Sequence, residues 1–255
     1  MNKADVIVSE WHKVRSLRSS WYLIVASVGV LAAVSLVALM IVQEWDASSA
    51  QERASSESGN VVALIGAFAP YLLGCLAVLT VTGEYATRMI SPSLAAVPRR
   101  GLFFTAKATV VAGIALVVGA ALAFGALLLT VLIVGERPEP VRPWPAVGDG
   151  VTEALGLIAS TVVIALVALA LGTIMRASAG ALITLAVLLY VLPSIVTLVP
   201  GQLGMWLGSV QLLNLAPQLT GQSEGMLPPA GAAAAMAGYV VLAMGGGYLA
   251  LRRDA

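Results

Sequence analysis

Residues 108–134 read ATVVAGIALVVGAALAFGALLLTVLIV, 27 positions without a charge. As α-helix this stretch is about 40 Å long, more than the roughly 30 Å hydrocarbon core of a bilayer. A helix on the surface of a soluble domain keeps a polar stripe along one side. Residues 108–134 have none, so the stretch is predicted to cross a membrane.

Working outward, five further stretches are long and apolar enough to span: Trp21–Val42, Val61–Gly83, Val151–Ile174, Gly180–Val199 and Ala230–Ala250. The only charge among them is Glu153, at the rim of the fourth. Many of these residues are Val, which disfavours helix in water. In lipid every unpaired amide costs several kcal/mol, so helix wins. Barrel strands would be about ten residues long and alternate polar with apolar, and nothing here alternates. The first span is longer than the roughly 7–15 residues of a signal-peptide core, which argues against cleavage. The predicted fold is an all-α integral membrane protein of six helices, residues 1–255 forming one transmembrane domain.

Composition agrees. Of 255 residues 59% are hydrophobic and 11% charged, where a soluble domain has about 25% charged. That excludes a soluble enzyme and a disordered chain. One Cys and one His, Cys75 and His12, cannot form an internal disulfide or supply the four ligands of a structural zinc site.

Eleven of the 14 Lys and Arg fall in residues 1–20, 84–107, 175–179 and 251–255. The positive-inside rule then places both termini in the cytoplasm. Residues 1–20 are expected to form an amphipathic interfacial helix, with Ala4, Ile7, Trp11 and Val14 on one face and Ser9, His12, Lys13 and Ser16 on the other, a frayed basic tail that only sets topology being the alternative. Between spans two and three, Ser91 before Pro92 reads as the cap of a short helix that Pro98 stops. That helix either docks on a cytoplasmic partner or belongs to a solvated loop anchored by Arg99, Arg100 and Lys107. On the outside, Leu203–Ala216 is apolar, uncharged and too short to span. A re-entrant or interfacial helix pair and a loop lying on the outer leaflet both fit it.

No residue pattern supplies chemistry. A P-loop needs Lys followed by Ser or Thr; the three Lys are followed by Ala4, Val14 and Ala108. Gradient-driven carriers usually hold ionisable groups inside their spans, and these spans hold none. Cys75 lies among Leu73, Gly74 and Leu76 and reads as a packing residue. The candidate substrate path comprises Tyr71 and Thr80 of span two and Tyr190, Ser194 and Thr197 of span five. These two spans are expected at a subunit interface, with ordinary helix packing as the competing reading. An uncharged path suits an amphipathic or hydrophobic substrate.

Two segments carry a resemblance. Ser9-Glu10-Trp11-His12-Lys13-Val14-Arg15-Ser16-Leu17-Arg18 is one. The other is Glu84-Tyr85 followed by Leu94-Ala95-Ala96-Val97-Pro98-Arg99-Arg100-Gly101 and Ala106-Lys107. They resemble the permease subunits of bacterial ABC-2-type ATP-binding cassette exporters, particularly small actinobacterial ones. The resemblance implies a plasma-membrane protein whose six-span subunits pair as a homo- or heterodimer. It also implies two cytoplasmic ATPase subunits that bind ATP and magnesium, no cofactor in this chain, contact with membrane lipid and none with nucleic acid. The span 2–3 loop would be the coupling helix, with Glu84, Tyr85, Arg88, Leu94, Val97, Arg99, Arg100 and Lys107 as its contacts. The loop between spans five and six would hold the re-entrant segment. Many relatives have Gly where this chain has Arg88. An ATPase-independent transporter or channel, and a non-transport membrane scaffold, are the alternatives.

Overall fold

The computed structural model describes residues 3–90, 92–93, 99–222 and 225–253. An amino-terminal helix α1 (Lys3–Ser16) precedes α2 (Arg18–Ala47), α3 (Val61–Ala86), α4 (Arg100–Val134), α5 (Val147–Met175) and α6 (Ser178–Val196). Two short helices, α7 (Gly201–Ser209) and α8 (Leu215–Leu219), lead into α9 (Pro229–Arg252). Helices α2 to α6 and α9 are each long and apolar enough to span, which makes this a multi-pass membrane protein.

Within the apolar stretches, 67% of α5 and 61% of α3 are buried inside the chain, against 22% of α2 and 17% each of α6 and α9. So α3 and α5 form the centre, and α2, α6 and α9 present apolar faces outward. Residues 73–78 of α3 are all buried within the chain. Helices in lipid gain little from hiding apolar surface, so the centre depends on close approach at small residues. A Cβ at Gly172 of α5 would lie 2.7 Å from Val81 Cγ1 and 3.3 Å from the Val78 carbonyl oxygen of α3. One at Gly247 of α9 would lie 2.7 Å from Phe104 Cζ and 3.3 Å from Ala170 Cα.

Two spans are interrupted where Pro removes an amide. α3 breaks at Ala67–Phe68, just before Pro70. The Tyr190 hydroxyl donates to the Ala67 carbonyl at 2.7 Å, re-satisfying a group that the break frees. α6 passes through a π-helical turn, Val187–Val191, ahead of Pro193. Buried hydroxyls of Thr82, Thr130, Thr161 and Thr173 donate to carbonyls four residues back, which hides them in otherwise apolar packing.

The bundle has two polar ends. Lys13, Glu84, Lys107 and the last residues of α9 meet at the end that bears both termini. At the other end Glu153 accepts from Asn60 and from Trp144 Nε1, and Arg137 pairs with Asp46.

Candidate functional site

The terminus-bearing end holds a four-charge cluster. On α1, Val6, Glu10 and Val14 recur every fourth residue and form the buried ridge. That ridge packs on α4, leaving Trp11 exposed, so the protein-facing side of α1 is centred on Glu10 and not on Trp11. Lys107, on α4, is 1% exposed. Its Nζ donates to Glu10 Oε2 at 2.5 Å, Glu84 Oε1 at 3.0 Å and the Thr80 carbonyl at 3.4 Å. Lys13 Nζ donates to Glu10 Oε1 at 2.6 Å, Glu84 Oε1 at 3.1 Å and Ser93 Oγ at 3.2 Å. Each ammonium thus uses its three donors. Two carboxylates balance two ammoniums, so the net charge of the group is zero. The Phe103 ring lies beneath both, 5.4 Å from Lys13 and 5.3 Å from Lys107.

Burial works against the charge of Lys13, but hydrogen bonds and attraction from Glu10 and Glu84 outweigh it and hold its pKa above the ordinary lysine range. Glu84 Oε2 is buried and has no hydrogen-bond donor among the described residues. The cluster ties α1, the end of α3, the start of α4 and Ser93 of the following loop into one body.

Arginines finish the same end. Arg100 Nη1 donates to the carbonyls of Leu251 and Arg252, and Arg176 Nη2 reaches that of Ala250. Both place positive charge at the carboxyl end of α9, where the helix dipole favours it. Arg88 has φ of 57°, in the left-handed region, one residue past the cap of α3. Glycine adopts that conformation without strain.

At the opposite end, a groove of about 680 Å³ lies between α6 and α7. Its polar lining is uncharged: Ser194, Thr197, Gln211 and Asn214. Gln211 is 8% exposed and its Nε2 has no acceptor among the described residues. Tyr71 and Tyr190 meet edge to face, with centroids 5.6 Å apart, where α3 breaks and α6 takes its π turn.

This six-span bundle, with its amino-terminal helix latched across α3 and α4, is matched over residues 6–199 by the family described as ABC-2 family transporter protein. The chain belongs to that family. No curated protein matches it.

In this ABC-2 transporter protein the structure sorts the sequence-predicted residues. Glu84 and Lys107 hydrogen-bond to one another and to Lys13 and Glu10 of α1, and Lys107 lies about two helical turns inside an α4 that starts at Arg100. Arg88 and Arg99 are exposed, whereas Arg100 is partly buried against α9. Tyr85 is partly buried. Leu94, Val97 and Ser91 lie outside the described residues. Of the path residues, Tyr71 pairs with Tyr190, and Ser194 with Thr197 lines the groove. Thr80 is buried below the charge cluster, away from both. Sequence reasoning missed Glu10, Lys13, Phe103 and Gln211. A carboxylate between Val6 and Val14, spaced by four on either side, was the available signal for Glu10.

Proposed function

We propose that this chain is the permease subunit of an ATP-driven exporter in a bacterial plasma membrane, with both termini in the cytoplasm. Two such subunits, identical or not, pair and carry two separate ATPase subunits on the terminus-bearing end; ATP and magnesium bind to those subunits. The observation that carries the reading is the four-charge cluster. It fastens α1 and the loop after α3 to the helices at the centre of the bundle, so a force on that loop moves α3 and α4 as a body. The substrate is amphipathic or hydrophobic, because the groove beside Ser194, Thr197, Gln211 and Asn214 offers neutral hydrogen-bonding groups and no charge. The helix pair α7–α8 re-enters the outer leaflet and flanks the exit.

The coupling contact is the segment 84–107, with Leu94 and Val97 as apolar anchors and Arg88 and Arg99 at the rim. An exposed charge pair contributes about 0–1 kcal/mol, and a buried large apolar side chain roughly 1.5–3 kcal/mol. Leu94→Asp should therefore uncouple transport from ATP hydrolysis more severely than Arg99→Ala. The assay is ATPase stimulation and substrate efflux in liposomes, with subunit stoichiometry checked for each variant. If Leu94→Asp leaves both intact, the loop is a membrane-anchored connector and the coupling reading fails.

A further inference from the structure

A second groove of about 680 Å³ opens sideways between α1, the start of α2 and one side of α4. Its floor is Val14, Leu76, Val110 and Ile114, all buried and packed on one another. Along α4 the lining runs from Thr109 to Val118, ten residues that span about 14 Å of helix. That is close to half of the roughly 30 Å hydrocarbon core, the depth of one leaflet.

The mouth is built differently from the floor. Arg15 lines it, is exposed, and has no carboxylate partner among the described residues. Lys13, two residues earlier, is fully neutralised by Glu10 and Glu84, so Arg15 is the cation that the groove presents. Trp11 and Trp21 flank it at 46% and 55% exposure, as amphipathic rings do at headgroup level. Trp21 Nε1 donates to the Arg15 carbonyl at 3.1 Å, fixing the corner between α1 and α2. The other polar lining groups, Ser20 and Thr109, carry no charge, and the Thr109 hydroxyl donates to the Thr105 carbonyl.

We infer that this groove is a binding site for one anionic phospholipid of the leaflet that adjoins α1. An acyl chain lies along α4 from Val118 to Thr109, and the phosphate meets the Arg15 guanidinium, which suits two-point contact with phosphate oxygens. A lipid of net negative charge is preferred because no acidic side chain at the mouth attracts a cationic headgroup. The groove residues of α1 adjoin the side that carries Glu10 and Lys13 and do not include either, and the site does not depend on the transport reading.

The test is native mass spectrometry of the full chain, delipidated in mild detergent and titrated with phosphatidylglycerol or phosphatidylethanolamine of identical acyl chains. The wild type should retain one phosphatidylglycerol per chain in preference to phosphatidylethanolamine. Arg15→Gln should bind phosphatidylglycerol roughly five-fold more weakly, since a basic residue at the membrane surface contributes about that factor, and should lose the preference. A Cβ at Gly113 meets nothing within 4 Å, so Gly113→Leu grows into the groove without displacing protein and should abolish retention of both lipids. Should that variant fold poorly by thermal unfolding, Val117→Trp, at an exposed lining position, fills the same space. Equal retention of the two headgroups by the wild type would overturn the inference. So would full retention of phosphatidylglycerol by both groove-filling variants.

Discussion

Removing the Lys107 ammonium while keeping its stem, as in Lys107→Met, tests whether the four-charge cluster latches α1 to the bundle. The side chain is 2% exposed and its partner Glu10 is 1% exposed, so the change leaves a buried carboxylate without its shortest hydrogen bond. Breaking a buried pair by removing one partner costs about 3–5 kcal/mol. Lys13 still reaches both carboxylates, at 2.6 Å from Glu10 and 3.1 Å from Glu84, which puts the expected loss near the lower end, about 3 kcal/mol. The double variant Glu10→Gln/Lys107→Met leaves one ammonium and one carboxylate, Lys13 and Glu84, and the charge balance returns. It should recover most of the loss, because neutral replacement of a buried pair is often close to neutral in stability. The measurement is the unfolding free energy in bicelles for wild type, both single variants and the double variant, read as a double-mutant cycle. Additive effects, or a Lys107→Met variant as stable as wild type, would refute the argument that burial and charge pairing hold this end together.

Gly172→Leu should destabilise by about 1–3 kcal/mol in the same unfolding assay, as overpacking does, since its Cβ alone would meet the Val78 carbonyl at 3.3 Å. Arg88→Gly should match or exceed wild-type stability, because a non-glycine residue at φ of 57° carries roughly 1–2 kcal/mol of strain; a loss of stability would show that the Arg88 side chain makes a compensating contact. The folded pKa of Lys13 is raised above its ordinary 10.5, so its contribution is fully present below that value and is lost as pH rises through the higher folded value. Spin labels at exposed His12 and Thr105, in a Cys75→Ser background, should therefore separate above about pH 10.5 in wild type, while Lys13→Gln should lack that transition.

The spans were legible because lipid removes the competing options: an uncharged stretch such as residues 108–134 can only be helix there. The breaks were half legible, since Pro70 and Pro193 mark where an amide is missing but not that Tyr190 would cap the freed Ala67 carbonyl. The charge cluster was not legible. Lys107 reads as the last charge before a span, and its membership in a buried group depends on Glu10, 97 positions away. The boundary also misled: α4 begins at Arg100, so residues 100–107 continue the span as helix and carry Lys107 beneath α1. Thr80 was not distinguishable by sequence from a packing group, because a hydroxyl in a span readily bonds to its own turn, here the Ala77 carbonyl. The groove under α1 is lined by residues of α1, α2, α3 and α4 together, a juxtaposition that no local pattern of residues encodes.

Purifying this chain from its native membrane through a carboxyl-terminal tag, and weighing the intact transport-competent assembly by native mass spectrometry, tests the central claim most directly. The account predicts two six-span subunits together with two subunits that carry a P-loop ATPase, and loss of substrate efflux when those subunits are stripped away. An assembly that moves substrate in liposomes with no ATPase subunit present would contradict it.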